Sequence, residues 1–249
     1  MRDETAGSIV DELERAIRSL DFERVRREYW EQDECVFLDR FLPPVVVDAH
    51  LVPEVEKLKP NVHRNWLPGH KKGGSISSYT LAEKAPVFVD LHRSPPFVDF
   101  LSKLTDARLM PCPETDPHAT ALYYYTEPGD FMGFHYDTSY YKGARYTVLM
   151  GLVNRTESCR LVGQLYRGNP HRQTREIILS TEPGSMVIFN GEKLWHAVTP
   201  LAPEEERVVL TMEYVTNPEM GAIKRFVSNM KDALAYFGFA ELLRRRNSS

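Results

Sequence analysis

His135-Tyr136-Asp137, followed by His196 and then by Arg207, carries the residue types in this chain best suited to chemistry. Two imidazoles and one carboxylate form a ligand set that grips a non-haem ferrous ion by one face and leaves the opposite face open. His135 and Asp137 are two residues apart, so on a β-strand both side chains leave the same face and can share one ion. His196 lies 61 residues after His135, and Arg207 another 11 beyond it. Arginine is a permanent cation with a planar fork of donors, which makes Arg207 a candidate clamp for an acidic co-substrate. Taken singly, each residue has a plainer reading. The histidines could be hydrogen-bonded core residues, and Arg207 could pair with one of Glu204 to Glu206. The ordered set is what favours a metal.

Positioning such distant residues needs a fold that brings remote strands side by side. From about residue 107 the sequence has that texture. Short β-branched and aromatic runs (Thr120 to Tyr125, Phe131 to Asp137, Tyr146 to Val153, Leu161 to Tyr166, Glu176 to Ser180, Ser185 to Phe189, Ala197 to Thr199, Val208 to Val215) alternate with turn signals such as Glu182-Pro183-Gly184 and Asn190-Gly191. This spacing predicts a mainly β architecture, a jelly roll or double-stranded β-helix. Helical spacing over residues 8 to 29 predicts one or two helices, and Cys35 to Leu38 reads as a strand. Pro43 and Pro44 open a helix expected to run to about Leu58, and residues 95 to 105 form another. Residues 61 to 74 read as an irregular loop, functional or mobile. The expected organisation is one domain over 1–249: a helical N-terminal part to about 106, the jelly-roll core at about 107–217, and a C-terminal helix at about 218–246.

Composition narrows the class. A net charge of −4, with 42% hydrophobic and 27% charged residues, is ordinary for a soluble globular chain and gives no reason to expect a nucleic-acid partner. Three cysteines without paired spacing indicate neither a disulfide framework nor a zinc site. The start, Met1-Arg2-Asp3-Glu4, lacks the apolar stretch of a secretory signal, and no apolar run is long enough to span a bilayer. A cytoplasmic location with no membrane contact is the expectation. Oligomeric state is not legible.

The pattern as a whole resembles the Fe(II)/2-oxoglutarate-dependent dioxygenase superfamily. The residues that carry the resemblance are Tyr125 with Gly129, His135-Tyr136-Asp137, Arg145-Tyr146-Thr147, Glu182-Pro183-Gly184-Ser185 through Phe189-Asn190, and His196 with Arg207. It implies Fe(II) held by His135, Asp137 and His196. It also implies 2-oxoglutarate held through its distal carboxylate by Arg207 with help from Tyr125, and O2 as oxidant. Asn65-Trp66-Leu67-Pro68-Gly69-His70 and Tyr214-Val215-Thr216-Asn217-Pro218 are similar to the BesD-like branch of free amino-acid halogenases and hydroxylases. That narrower likeness implies a small free amino acid as substrate. Halogenases of the superfamily have a small residue where this chain has Asp137, so the carboxylate favours hydroxylation over halogenation.

Parity along the last strand adds an argument from the residues themselves. If Arg207 faces inward, so do Val209, Thr211 and Glu213. An inward Glu213 requires a partner: a metal-site neighbour, an internal arginine or a substrate ammonium. Thr211 and Glu213 are therefore candidate substrate residues, and Arg64, on the irregular loop, is a candidate for a substrate carboxylate. Aromatics at Tyr123, Tyr125, Phe134, Tyr140, Tyr141 and Trp195 are expected near the barrel mouth. Oxidative cyclisation or desaturation of an amino acid, hydroxylation of a peptide residue, and a cupin-type metal-binding protein without turnover stay open as alternatives.

Overall fold

The computed structural model describes residues 2–219; the helix expected at 218–246 lies outside the described residues from 220 on. Apolar residues at helical spacing make α1 (Arg2–Ser19) and α2 (Phe22–Glu31), which bury Ile9, Leu13, Val25 and Tyr29. Asp21 caps α2 by accepting the Arg24 N–H at 3.1 Å. Strand β1 (Cys35–Leu38) and helix α7 (Pro95–Thr105) fall where the sequence puts them.

The helix expected from Pro44 to Leu58 is instead two, α3 (Pro44–His50) and α4 (Val52–Leu58). Pro53 explains the break, because its ring has no N–H to donate and clashes with the carbonyl four residues back. The supposed loop at 61–74 is a β-hairpin of β2 (His63–Leu67) and β3 (Lys71–Ile76), turning at Gly69 with φ +71. Its Asn, His, Arg and Pro content has little intrinsic strand preference; long-range pairing decides its conformation. Helices α5 (Ser78–Lys84) and α6 (Val87–Arg93) complete the helical part.

The remaining strands are β4 (Met110–Pro111), β5 (Thr120–Tyr125), β6 (Phe131–His135), β7 (Arg145–Arg155), β8 (Leu161–Leu165), β9 (Arg175–Leu179), β10 (Met186–Asn190), β11 (Trp195–Val198) and β12 (Glu206–Val215). Every pairing among them is antiparallel, in the order β1-β10-β7-β12-β5-β3-β6-β11-β8-β9, with β2 on β3 and β4 on β12. Strand β3 joins the two halves of this curled sheet. Its residues 74–76 pair with β5, and Lys71 and Lys72 pair with β6. The jelly-roll expectation holds.

Strands β7, β10 and β12 read as nearly unbroken apolar runs because both of their faces are covered. Val148, Met150, Met186, Ile188, Leu210 and Met212 belong to the core shared with the helices. Leu149, Val187, Phe189 and Val209 belong to a second core inside the curl. Alternation along each strand separates the two. One irregularity in the β7–β12 register comes where Val208 faces Val153 and Val209 faces Gly151. The additional residue, Leu152, is on β7, so β12 keeps its alternation unbroken.

Candidate metal site

Antiparallel pairing of β6 with β11 sets His196 directly opposite His135, with ring centroids 4.3 Å apart. Asp137 lies just past the end of β6, not on the strand as expected, yet its side chain joins the histidines. Its N–H donates to the Gly191 carbonyl at 2.9 Å. A Cβ on Gly191 would lie 2.8 Å from the Asp137 Cβ, so this approach requires the glycine of the Asn190-Gly191 turn. Ligand atoms of His135, Asp137 and His196 all lie within 4.8 Å of one another. His135 Nε2 is 3.5 Å from Asp137 Oδ1, and His196 Nε2 is 3.8 Å from Oδ2.

The far side of each ring is tied down. His135 Nδ1 donates to the Gly133 carbonyl at 2.8 Å, and His196 Nδ1 to the Leu194 carbonyl at 3.0 Å. With the proton assigned to Nδ1 by these carbonyls, Nε2 is the lone-pair nitrogen of each ring, and both Nε2 atoms turn toward Asp137. Burial pushes His196 down to about 4, outweighing the attraction of Asp137. Burial alone would raise Asp137, but the imidazoles of His196 and His135 and the Arg145 guanidinium hold it well below the usual carboxylate range. A neutral His196 imidazole beside an ionised Asp137 is in the protonation state that a divalent cation needs in its ligands.

The same pocket runs along β12, where Arg207, Val209, Thr211 and Glu213 all line it, as parity requires. Arg207 is 1% exposed and directly opposite Tyr125 in register, its guanidinium 5.1 Å from that ring's centroid. Its Nε donates to Thr181 Oγ1 at 3.0 Å. Neither terminal nitrogen, Nη1 or Nη2, has a hydrogen-bond partner among the described residues, although the Tyr125 hydroxyl and the Cys159 thiol are electrostatic neighbours. A buried fork of unpaired charged donors is costly unless an acceptor meets it.

Glu213 finds the internal arginine. Arg145 Nε donates to its Oε2 at 2.8 Å, and the Thr147 hydroxyl lies 2.9 Å from the same oxygen and 2.8 Å from Asp137 Oδ2. Thr211 donates to the Ala121 carbonyl at 3.3 Å. Arg64 is not brought to the pocket. Its Nη1 and Nη2 fork onto Asp130 at 2.9 and 2.7 Å, and Nη2 also reaches Glu127 at 2.9 Å. Of the expected mouth aromatics, Tyr123, Tyr125 and Tyr140 line the pocket. Phe134 and Trp195 stack on each other with centroids 6.0 Å apart, away from the pocket, and Tyr141 donates to Asp116 Oδ2 at 2.7 Å.

Sequence reasoning passed over Arg145, Thr147 and Asp116 as site residues, and all three bear on the pocket. The first two carry a signal: Arg145, Thr147 and Leu149 alternate on β7, and Thr147 faces Glu213 across the ladder. Asp116 lies in a loop and carries none.

No protein-family model and no curated protein sequence matches the chain. Solved structures do match its fold. The non-heme alpha ketoglutarate dependent carbocyclase SnoK from nogalamycin biosynthesis aligns with a TM-score of 0.64 at 14% identity, over 85% of this chain and 91% of that one. The non-heme alpha ketoglutarate dependent epimerase SnoN, from the same biosynthesis, gives 0.62 at 14% identity over 78% and 81%. A prolyl 4-hydroxylase from Phytophthora capsici gives 0.59 at 20% identity over 95% of this chain and 75% of that one. At such identities the likeness is one of fold. Among the described residues no helix is long and apolar enough to cross a membrane.

Proposed function

We propose that this chain is an Fe(II)- and 2-oxoglutarate-dependent oxygenase that oxidises an aliphatic C–H bond of a small free amino acid, most simply by hydroxylation. The observation that carries the reading is the pairing of two features in one pocket. One is a two-histidine, one-carboxylate cluster with converging ligand atoms. The other is Arg207, buried with both terminal nitrogens unspent. A structural metal would need no such cation, whereas a dicarboxylate that chelates the metal at one end leaves its other carboxylate for a guanidinium.

Bound ferrous iron, with 2-oxoglutarate and O2, supplies an oxidant able to break an aliphatic C–H bond as the keto acid is converted to succinate and CO2. The chain's own residues do the rest. His135, Asp137 and His196 offer three ligands, their rings oriented by the Gly133 and Leu194 carbonyls. Arg207 receives the distal carboxylate beside Tyr125. Met132, Leu149, Leu161 and Val209 line the pocket between these groups and exclude water. Two features support a free amino acid over a polymer. The pocket lies within the curl of the sheet, and the lining includes a cation, Arg145, together with the acids Asp116 and Glu213.

The test is direct. Protein loaded anaerobically with Fe(II) and 2-oxoglutarate is expected to show a weak visible charge-transfer band that disappears in His196→Ala. Succinate release across a panel of free amino acids then identifies substrates, and product mass separates gain of an oxygen atom from the loss of two hydrogens that desaturation or ring closure would cause. Protein that binds Fe(II) but never 2-oxoglutarate would end the oxygenase reading and leave a cupin-type metal protein.

A further inference from the structure

The pocket contains a second arginine whose fork is incompletely used. Arg145 opens β7, lines the pocket, and has a side chain only 11% exposed. Its Nε edge is committed to Glu213 Oε2 at 2.8 Å. The hydrogen bond to Glu213 uses Nε, so Arg145 has further N–H groups to offer than Glu213 takes. The side chain is mostly enclosed, and the N–H groups it does not spend on the protein open onto the pocket, where a ligand can take them.

Resting on the oxygenase reading, we propose that Arg145 receives the carboxylate of the substrate, at the end of β12 remote from Arg207. Glu213 lies six positions after Arg207 on β12, about 20 Å of extended strand. Two carboxylates can thus be sorted within one pocket by two cations, each near a different end. The neighbouring acids set a second condition. Asp116, Asp137 and Glu213 line the same pocket, so a substrate with a carboxylate alone would add negative charge to acid-rich surroundings. A carboxylate accompanied by an ammonium adds none. The ligand class is therefore the zwitterionic amino acid, and the group that Arg145 reads is its carboxylate.

The experiment compares each free L-amino acid with its own primary amide as a stimulant of succinate release by the Fe(II)-loaded full chain. The readout is the acid-to-amide ratio, which does not depend on the fraction of active protein. Wild type is expected to prefer at least one acid over its amide by about tenfold or more, the scale of one lost charged hydrogen bond. Arg145→Gln is expected to bring that ratio close to one. Because Arg145→Gln leaves Glu213 buried beside a neutral group, the double variant Arg145→Gln/Glu213→Gln removes both charges together and is expected to give the same lost ratio. Acids and amides that serve wild type equally, an acid preference that survives in both variants, or a panel in which no free acid stimulates would each overturn the assignment. Failure of the parent reading looks different: wild type would then lack the visible band with Fe(II) and 2-oxoglutarate before any amino acid is added.

Discussion

Arg207 in the pocket and Arg64 in the β2–β3 hairpin are both arginines held by strands, yet they are used in opposite ways. Arg64 is 30% exposed along its side chain, and its fork is filled by Asp130, a fully buried carboxylate that also accepts the N–H groups of Thr126 and Glu127. Arg207 is more deeply buried and has no carboxylate of its own. Histidines repeat the contrast. Burial pushes both His92 and His196 down to about 4. His92 spends Nε2 on the Glu213 carbonyl at 2.9 Å and Nδ1 on the Thr120 hydroxyl at 2.6 Å, whereas His196 spends only Nδ1 on a carbonyl and turns Nε2 toward Asp137. Burial alone does not mark a functional polar group. What separates the two kinds is whether the protein supplies every partner.

The largest expected effect breaks the pocket side of that contrast. His196→Ala removes one of the three proposed ligands and should abolish the Fe(II)- and 2-oxoglutarate-dependent visible band; a band of wild-type intensity would remove the metal from this site. Arg207→Gln comes next. Truncating one partner of a buried, hydrogen-bonded charge pair costs about 2–5 kcal/mol, so KM for 2-oxoglutarate should rise by at least about thirtyfold. An unchanged KM would make Arg207 a structural cation like Arg64.

Thr147→Val sharpens the contrast further out from the ligands. The Thr147 hydroxyl has one proton and two carboxylate oxygens within reach. Arg145 already donates to Glu213 Oε2, so the proton is best used on Asp137 Oδ2. Loss of such a supporting hydrogen bond weakens metal affinity by about 10–100-fold. Anaerobic dialysis against Fe(II) should register that loss in Thr147→Val and its recovery in Thr147→Ser; equal affinities in the three proteins would mean the hydroxyl supports nothing.

These contrasts also show how far the sequence could be read. The curled sheet was legible because alternating strands and Gly/Pro turns are local signals, and the strands from Thr120 to Val215 fall within a few residues of their expected limits. The convergence of His135, Asp137 and His196 was legible because their residue types are chemically restrictive. Partner bookkeeping was not. Nothing near Arg64 announces that Asp130, 66 residues later, fills its fork, since that depends on the hairpin folding back over the loop after β5. The hairpin itself escaped for the same reason, β3 being set by pairing with β5 and β6 and β2 by pairing with β3, not by their own composition. Arg145 lay in view on a recognised strand, but its partner was identified only once β7 and β12 were aligned in register.

His92 gives the contrast a pH signature. Burial lowers its pKa to about 4, while an unfolded histidine titrates near 6.5. Between those values the unfolded chain binds the proton and the folded chain does not, so stability falls as pH drops from about 6.5 toward about 4 and is fully present above that window. From about pH 7 to about pH 5 the contribution is roughly 2 kcal/mol. Because His196 is lowered to the same degree, denaturant unfolding of the metal-free protein at the two pH values should show at least that loss in wild type and a smaller one in His92→Gln; identical losses would mean His92 does not contribute.

The smallest effect belongs to the hairpin, and it separates stability from function. Arg64→Ala leaves Asp130 buried but still accepting two backbone N–H groups, with Lys72 Nζ 3.9 Å away. Breaking a fully buried ion pair costs about 3–5 kcal/mol, but the partial exposure of Arg64 and these remaining donors reduce the expected loss to about 1–2 kcal/mol. KM for 2-oxoglutarate and for the proposed amino-acid substrate should not move, because the fork of Arg64 is filled before any ligand arrives. A variant of wild-type stability with a raised KM for the proposed substrate would return Arg64 to the substrate site and show that a filled fork can still be recruited.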